Sequence, residues 1–403
     1  MENPIRSTFL PKEESGSRIA RLQASLEFTD LDGVLVFDWI EQLYYAGTIQ
    51  NGFLYIPVKG SVVYFVRRSL ERACMESPLP FIYPYTSFRD VAGKLSELGI
   101  VPHRLGVDES SMTVAYLKML TKTFSSVVFS DAGMILKRNR SVKSSYEIEK
   151  MRKAGEVSRQ IIREIPSFLR DGITEWELAL ALHGRVSELG KNCLSRLSPG
   201  SGEFFLGNVC FGDSSIKPTA FDGPGGMPGI SPACPYGGSE RQLKAGDLIY
   251  IDIGYPFEEY YVDKTRLFFY KGEPDQNIRT AHEKCLKIQE AVRKRLTAGA
   301  IPSTIYEEVM AECVGSDVQR IGLMGHAGNQ VKFLGHGIGM VINEFPVIAK
   351  KFDEPLKEGM TMAVEPKQSI PGIGLVGIEN TFLVTKDGGE NLTSDSDDII
   401  LVG

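Results

Sequence analysis

Over residues 17–131 the chain alternates short β-branched runs with stretches of helical spacing. Residues 32–38 (DGVLVFD) read as a strand. The apolar runs 53–58 and 61–65 flank Lys59-Gly60, which predicts a two-residue hairpin turn. SFRDVAGKLSELG then shows helical spacing and stops at Gly99, where a positive φ would close the helix, before the strand-like RLGVD around Gly106. This alternation predicts an α/β domain, a sheet covered by helices. It holds no phosphate loop and no dinucleotide fingerprint.

The pattern breaks at KRNRSVKSS (137–145), and Ser144-x-x-Glu147 forms a capping box opening the helix YEIEKMRKAGEVSRQIIREI. We therefore divide the chain into domains 1–139 and 140–403. Thr174-x-x-Glu177 announces a second helix in DGITEWELALALHGRVSEL. The glycine- and proline-dense stretch 198–240 is long for a connection, and it leads into acidic strands, which favours the lining of a site over a surface loop.

Composition narrows the function classes. At 403 residues the chain has room for two or three domains. Its formal charge of −6 and the absence of any dense Lys/Arg tract argue against nucleic-acid binding. No run approaches the roughly 20 apolar residues of a membrane span. The acidic N-terminal stretch fits neither a secretory nor a transit signal, so a cytoplasmic location is expected. Six cysteines without a CxxC pair read as reduced thiols.

The most informative feature is an internal repeat. LKAGDLIYID (243–252) is echoed by LKEGMTMAVE (356–365), with Leu243/Leu356, Gly246/Gly359 and Asp252/Glu365 each 113 positions apart. Each copy continues into a second strand headed by an acid: Asp263 opens DKTRLFF and Glu379 opens ENTFLV, with Thr265 and Thr381 two residues on. Period-two alternation puts Leu248, Tyr250 and Asp252 on one face, then Asp263, Thr265 and Leu267; the second copy does the same with Thr361, Ala363 and Glu365, then Glu379, Thr381 and Leu383. If the two hairpins face each other, four carboxylates converge. Buried anions at that density must protonate or hold cations, and two divalent ions would balance them. His336, between glycines in FLGHGIG, is a fifth candidate.

With its linker RSVKSSYEIEKMRKAGEV, IDIG…VDKTR, GHGIG, VEP and GIEN, the chain resembles the creatinase, prolidase and aminopeptidase P superfamily over nearly its whole length. The resemblance implies an α/β creatinase-like N-terminal domain and an α+β C-terminal domain of the pita-bread fold, with a pseudo-twofold internal repeat. It implies two divalent ions (Mn, Fe, Co or Zn), with Asp252 a terminal ligand, Asp263 and Glu379 bridging, and His336 and Glu365 completing the second position. Such ions polarise a scissile carbonyl and activate water, with Glu365 as the catalytic proton shuttle. A homodimer is also implied, with Trp39, Tyr44 and Tyr45 of DWIEQLYYAG offered as its border, a core role for these aromatics being an equal alternative.

Three positions depart from that pattern. The peptidases carry a second histidine seven residues after the ligand, where this chain has Asn343 followed by Glu344. They also carry a histidine in the loop before the first acidic strand; here Thr219 or Phe221 stands near that place, and Thr219 with Asn343 becomes the substrate-binding expectation. Prolidase-like members have an arginine two residues before the last ligand, where it can meet a substrate carboxylate, and this chain has Gly377. The expected function is a dinuclear hydrolase of the Xaa-Pro dipeptidase or aminopeptidase P type acting slowly on Xaa-Pro bonds, its substrate a small peptide or amide. The alternatives are a metal-dependent hydrolase or lyase for a non-peptide small molecule, and a non-catalytic metal-binding homologue.

Overall fold

The structure, a computed structural model, describes residues 9–197, 203–204, 207–220, 223–314, 322–326 and 328–403. The chain divides into two compact units, one ending at Arg140 and the other running Ser141–Gly403.

The first unit opens with helix α1 (Lys12–Leu26) and strand β1 (Gly33–Val36). Helix α2 (Trp39–Ala46) is capped by Asp38, whose Oδ1 accepts from the Ile40 and Glu41 amides. Then follow β2 (Gly52–Pro57), β3 (Val63–Val66), α3 (Leu70–Glu76), β4 (Ile82–Pro84), α4 (Phe88–Glu97), β5 (Arg104–Val107), α5 (Val114–Thr123), β6 (Val128–Asp131) and α6 (Gly133–Ser141). The six strands make one mixed sheet in the order β4-β3-β2-β1-β5-β6. Phe53, Phe65, Tyr85, Phe88 and Leu105 lie in its core. Helix α4 is followed by Gly99 at φ +72°, as its sequence predicts.

Three expectations change here. The turn between β2 and β3 is longer than two residues, because Tyr55 already pairs with Val63 while Ile56 and Pro57 pair with β1; Gly60 still takes a positive φ within it. Residues 137–141, where the sequence pattern breaks, are the last turns of α6, so the helix runs past that break. Asn139 and Arg140 are buried there, Asn139 donating to Tyr45 Oη at 2.8 Å and Arg140 pairing with Glu41. Tyr44 and Tyr45 are fully buried in their own unit, so of the proposed border aromatics only Trp39 reaches the surface.

The second unit begins with α7 (Ser145–Phe168) and α8 (Glu175–Gly190), each opened by its predicted capping box. After a short ribbon of β7 (Ser195–Arg196) and β8 (Glu203–Phe204) come β9 (Gly207–Phe211), β10 (Leu248–Phe257) and β11 (Tyr260–Tyr270), joined antiparallel in that order. The second half repeats the plan. Helices α9 (Gln276–Arg295) and α10 (Pro302–Cys313) precede β12 (Phe333–Gly337), β13 (Glu344–Ala349) and β14 (Thr361–Val364). After a hairpin of β15 (Lys367–Ile370) and β16 (Gly374–Gly377) come β17 (Asn380–Val384), β18 (Gly389–Asn391) and β19 (Ile400–Val402). Strands β12, β14 and β17 pair antiparallel as β9, β10 and β11 do. Two helices followed by three antiparallel strands, twice over, is the pseudo-twofold pita-bread arrangement the repeat anticipates.

The copies differ at one point. Strands β10 and β11 run on as one long hairpin, whereas Pro366 lacks an amide hydrogen and ends β14 just before the separate β15–β16 hairpin. Among the described residues no helix is long and apolar enough to cross a membrane.

Candidate metal centre

Asp252 lies on β10 level with Thr265 of β11, and Asp263 lies two residues before Thr265, so all three share a face. Glu365 follows β14, Glu379 precedes β17, and His336 lies in β12 opposite Ala363. All five candidate residues are buried. Two threonines tie the halves together. Thr381 Oγ1 accepts from the Asp263 amide at 2.8 Å and donates to the Asp263 carbonyl at 3.0 Å. Its counterpart Thr265 faces Asp252 Oδ1 at 2.8 Å and Glu379 Oε2 at 3.0 Å.

The histidine is held in one orientation. Its Nδ1 lies 3.0 Å from the Gly337 carbonyl, which can only accept, so Nδ1 carries the hydrogen and Nε2 faces Glu365 Oε1 at 3.4 Å. Donor atoms of Asp263, His336 and Glu379 all lie within 4.8 Å of one another. Glu379 Oε1 is buried without a hydrogen-bond partner. Burial, then the charge of Asp252, pushes the Asp263 carboxyl up to about 7. Burial and the Asp263 charge push Glu379 well above the carboxylate range. Burial is again the largest influence on Asp252 and Glu365, but there the Lys367 charge together with hydrogen bonds, and His336 at Glu365, outweighs it and both stay below their ordinary values.

Lys367 is the residue that reading the sequence for ligands misses. Its side chain is wholly buried, and Nζ lies 2.7 Å from Glu365 Oε2, 3.0 Å from Asp252 Oδ2 and 3.0 Å from Glu379 Oε2. An ammonium has three hydrogens, and here three carboxylates take them. The signal was local: in VEPK the lysine is two residues after Glu365, and alternation puts the two on one face.

The two ends of the cluster differ in their fit to a metal. At Asp252 an ion fits poorly, because Oδ2 is held by Tyr250 Oη at 2.8 Å and by the Lys367 ammonium, while Oδ1 shares the single Thr265 hydroxyl hydrogen with Glu379. At Asp263, His336 and Glu379 one divalent ion fits: the donors are hard oxygens and an imidazole, they lie close together, and Glu379 keeps one oxygen, Oε1, without another partner.

The substrate-binding candidates sit apart from this geometry or beside it. Thr219 is half-buried and donates to the Pro235 carbonyl at 3.0 Å, and Phe221 lies outside the described residues. Asn343 is half-buried in the bend before β13, next to Glu344, which pairs with Gly337. Gly377 stands directly across β15–β16 from Lys367.

The model of the creatinase/prolidase N-terminal domain matches residues 18–142, and that of metallopeptidase family M24 matches residues 149–386. An uncharacterized peptidase of Staphylococcus saprophyticus is 29% identical over 317 residues, 78% of this chain and 80% of that protein. The fold is similar to that of an Xaa-Pro dipeptidase from Bacillus anthracis, with a TM-score of 0.78 at 24% identity over 96% of this chain and 99% of that one. It is also similar to a prolidase from Pyrococcus horikoshii, with a TM-score of 0.75 at 22% identity over 95% and 100% of the two chains. With its acidic cluster seated between the two halves of the matched region, the chain belongs to metallopeptidase family M24 and carries a creatinase/prolidase-type domain ahead of the M24 domain.

Proposed function

We propose that this protein hydrolyses an amide bond in a small peptide or peptide-like amide, using a divalent ion held by Asp263, His336 and Glu379. The observation that carries the reading is the grouping of Glu379, whose Oε1 has no partner, with Asp263 and the fixed His336 ring. A buried carboxylate oxygen left without a donor is costly, and a cation relieves it. When bound, the ion supplies Lewis acidity toward the scissile carbonyl.

The chain's own residues supply the rest. Glu365 Oε2 is held by Lys367, which leaves Oε1, turned toward His336, as the oxygen that takes and returns a proton. Asn343 stands where the related peptidases have a second histidine; its amide can orient a carbonyl but cannot cycle a proton. Gly377 offers no guanidinium to a substrate carboxylate. The reading is therefore slow cleavage of Xaa-Pro dipeptides and faster cleavage of an amide lacking a carboxylate at that point, in a cytoplasmic homodimer with Trp39 as one exposed border residue.

A panel of Xaa-Pro dipeptides, longer peptides and small amides, assayed with Mn, Co, Fe and Zn, tests this. Any genuine substrate loses turnover by about 10²-fold or more in Glu365→Gln, since general acid–base groups contribute about 10²–10⁴. Equal residual rates in wild type and variant would sink the reading and leave a non-catalytic binding protein.

A further inference from the structure

We infer that Lys367 is a built-in cation standing where a second divalent ion would otherwise sit, so that the centre holds one ion and one ammonium. This deepens the reading above and rests on its ion site at Asp263, His336 and Glu379.

Three observations carry it. Nζ touches one carboxylate from the first strand pair, Asp252, and both acids of the second copy, Glu365 and Glu379. It thus lies between the two copies, where the twofold arrangement converges. A metal bound to Asp252 would lie about 2.0–2.2 Å from a carboxylate oxygen, inside the space the ammonium fills. Asp252 Oδ2 is already taken by Tyr250 and Lys367, and Oδ1 faces Thr265.

The lysine has no second place to go. Its side chain is fully buried, and withdrawing it from the three carboxylates would leave an ammonium unpaired in the interior. The fold also makes room for the stem, because a Cβ on Gly377 would come 2.6 Å from Lys367 Cγ. The position where related enzymes present an arginine to substrate is here the glycine that admits an interior lysine. Since all three Nζ hydrogens are taken by carboxylates, Lys367 acts as a positioning residue: it fixes Glu365 Oε2 and Asp252 without reaching substrate.

The test is metal stoichiometry, measured by elemental analysis after reconstitution of the full chain with Mn(II), Co(II), Fe(II) or Zn(II) and removal of free ion. Wild type should retain about one ion per chain and Lys367→Ala about two. Without metal, the variant should also gain far more in melting temperature on Mn(II) addition than wild type does, because its carboxylates have lost their resident cation. Two ions in wild type would overturn the inference, as would a folded Lys367→Ala that still holds one. If Lys367→Ala does not fold, Lys367→Gln, which keeps a hydrogen-bond donor, is scored the same way, and the wild-type count stands by itself. A wild type that holds no ion with any of the four metals would instead sink the ion site of the preceding reading. The lysine is then judged by the variant alone: gaining an ion supports its role, and remaining empty overturns it.

Discussion

Lys367 and Gly377 are cross-strand partners in the β15–β16 hairpin, and the missing side chain of one is the space occupied by the other. A Cβ at position 377 would also meet the Pro366 carbonyl at 2.6 Å, so the glycine answers to backbone as well as to the lysine. Gly377→Ala should cost about 1–3 kcal/mol, the usual range for overpacking a tight site. In a Lys367→Ala background the cost should shrink without vanishing, because the Pro366 contact remains. Urea denaturation of the four proteins of the cycle measures the coupling, expected at about 0.5–3 kcal/mol. Strict additivity would mean the two residues do not share that space.

A second buried charge pair supports the histidine strand. Lys143 Nζ lies 2.8 Å from Glu344 Oε2, both side chains almost wholly buried, and Glu344 Oε1 accepts from the Met340 amide at 3.0 Å. Together they pin the turn that connects β12, with His336, to β13 and contains Asn343. Lys143→Met removes the ammonium from a buried carboxylate and should destabilise the protein by about 3–5 kcal/mol, the range for breaking a buried pair from one side. Chemical denaturation reads this directly. A loss below about 1 kcal/mol would mean that Glu344 is solvated or finds another cation.

How far the sequence foretold these features depended on how local their cause is. The capping boxes at Ser144/Glu147 and Thr174/Glu177 and the Gly99 helix end rest on three or four neighbouring residues, and the structure contains them. The repeat located four carboxylates because strand alternation assigns faces without knowledge of the partner strand. The basic segment from Lys137 read as a break in the pattern because the burial of Asn139 and Arg140 depends on Tyr45 and Glu41, almost a hundred positions away. Border and core stayed equal readings for Tyr44 and Tyr45 because nothing nearby says which face of α2 is covered, and the structure places both in the core. Lys367 was different, since the alternation that picked out Glu365 also marks it. A lysine beside an acid ordinarily reads as a solvated pair, and only the fold brings Asp252 and Glu379 to it as well.

Away from the centre, Arg185 holds Glu164 across α7 and α8 through Nε and Nη2 at 2.7 and 2.9 Å, and with Gln160 it pulls the Glu164 carboxyl down to about 2. A carboxylate whose folded pKa is depressed adds stability that is present above its unfolded value, about 4.3, and is lost as pH falls through the folded value. The pair therefore contributes to the acid limb of unfolding, between roughly pH 4 and 2, and only weakly because both side chains are partly solvated. In Arg185→Gln the Glu164 resonance should titrate close to an ordinary glutamate in an NMR pH series. An unchanged midpoint would assign the shift to Gln160 instead.

Asp252 and Asp263 separate the two halves of the proposed centre. If both bound metal as equivalent members of a two-ion cluster, replacing either by asparagine would disturb ion binding to a similar degree. The geometry makes them unequal, because Asp252 already faces the Lys367 ammonium, Tyr250 and Thr265 while Asp263 stands with His336 and Glu379. Asp263→Asn should therefore lose the ion, with retained metal near background by elemental analysis. Asp252→Asn should keep about one ion but unfold at lower denaturant, because its new amide hydrogens would point at the donors that formerly met a carboxylate. The stability loss should be about 1–3 kcal/mol, the cost of leaving buried polar groups mismatched. Loss of the ion from both variants alike would mean that Asp252 is a ligand after all and that Lys367 yields its place when metal binds.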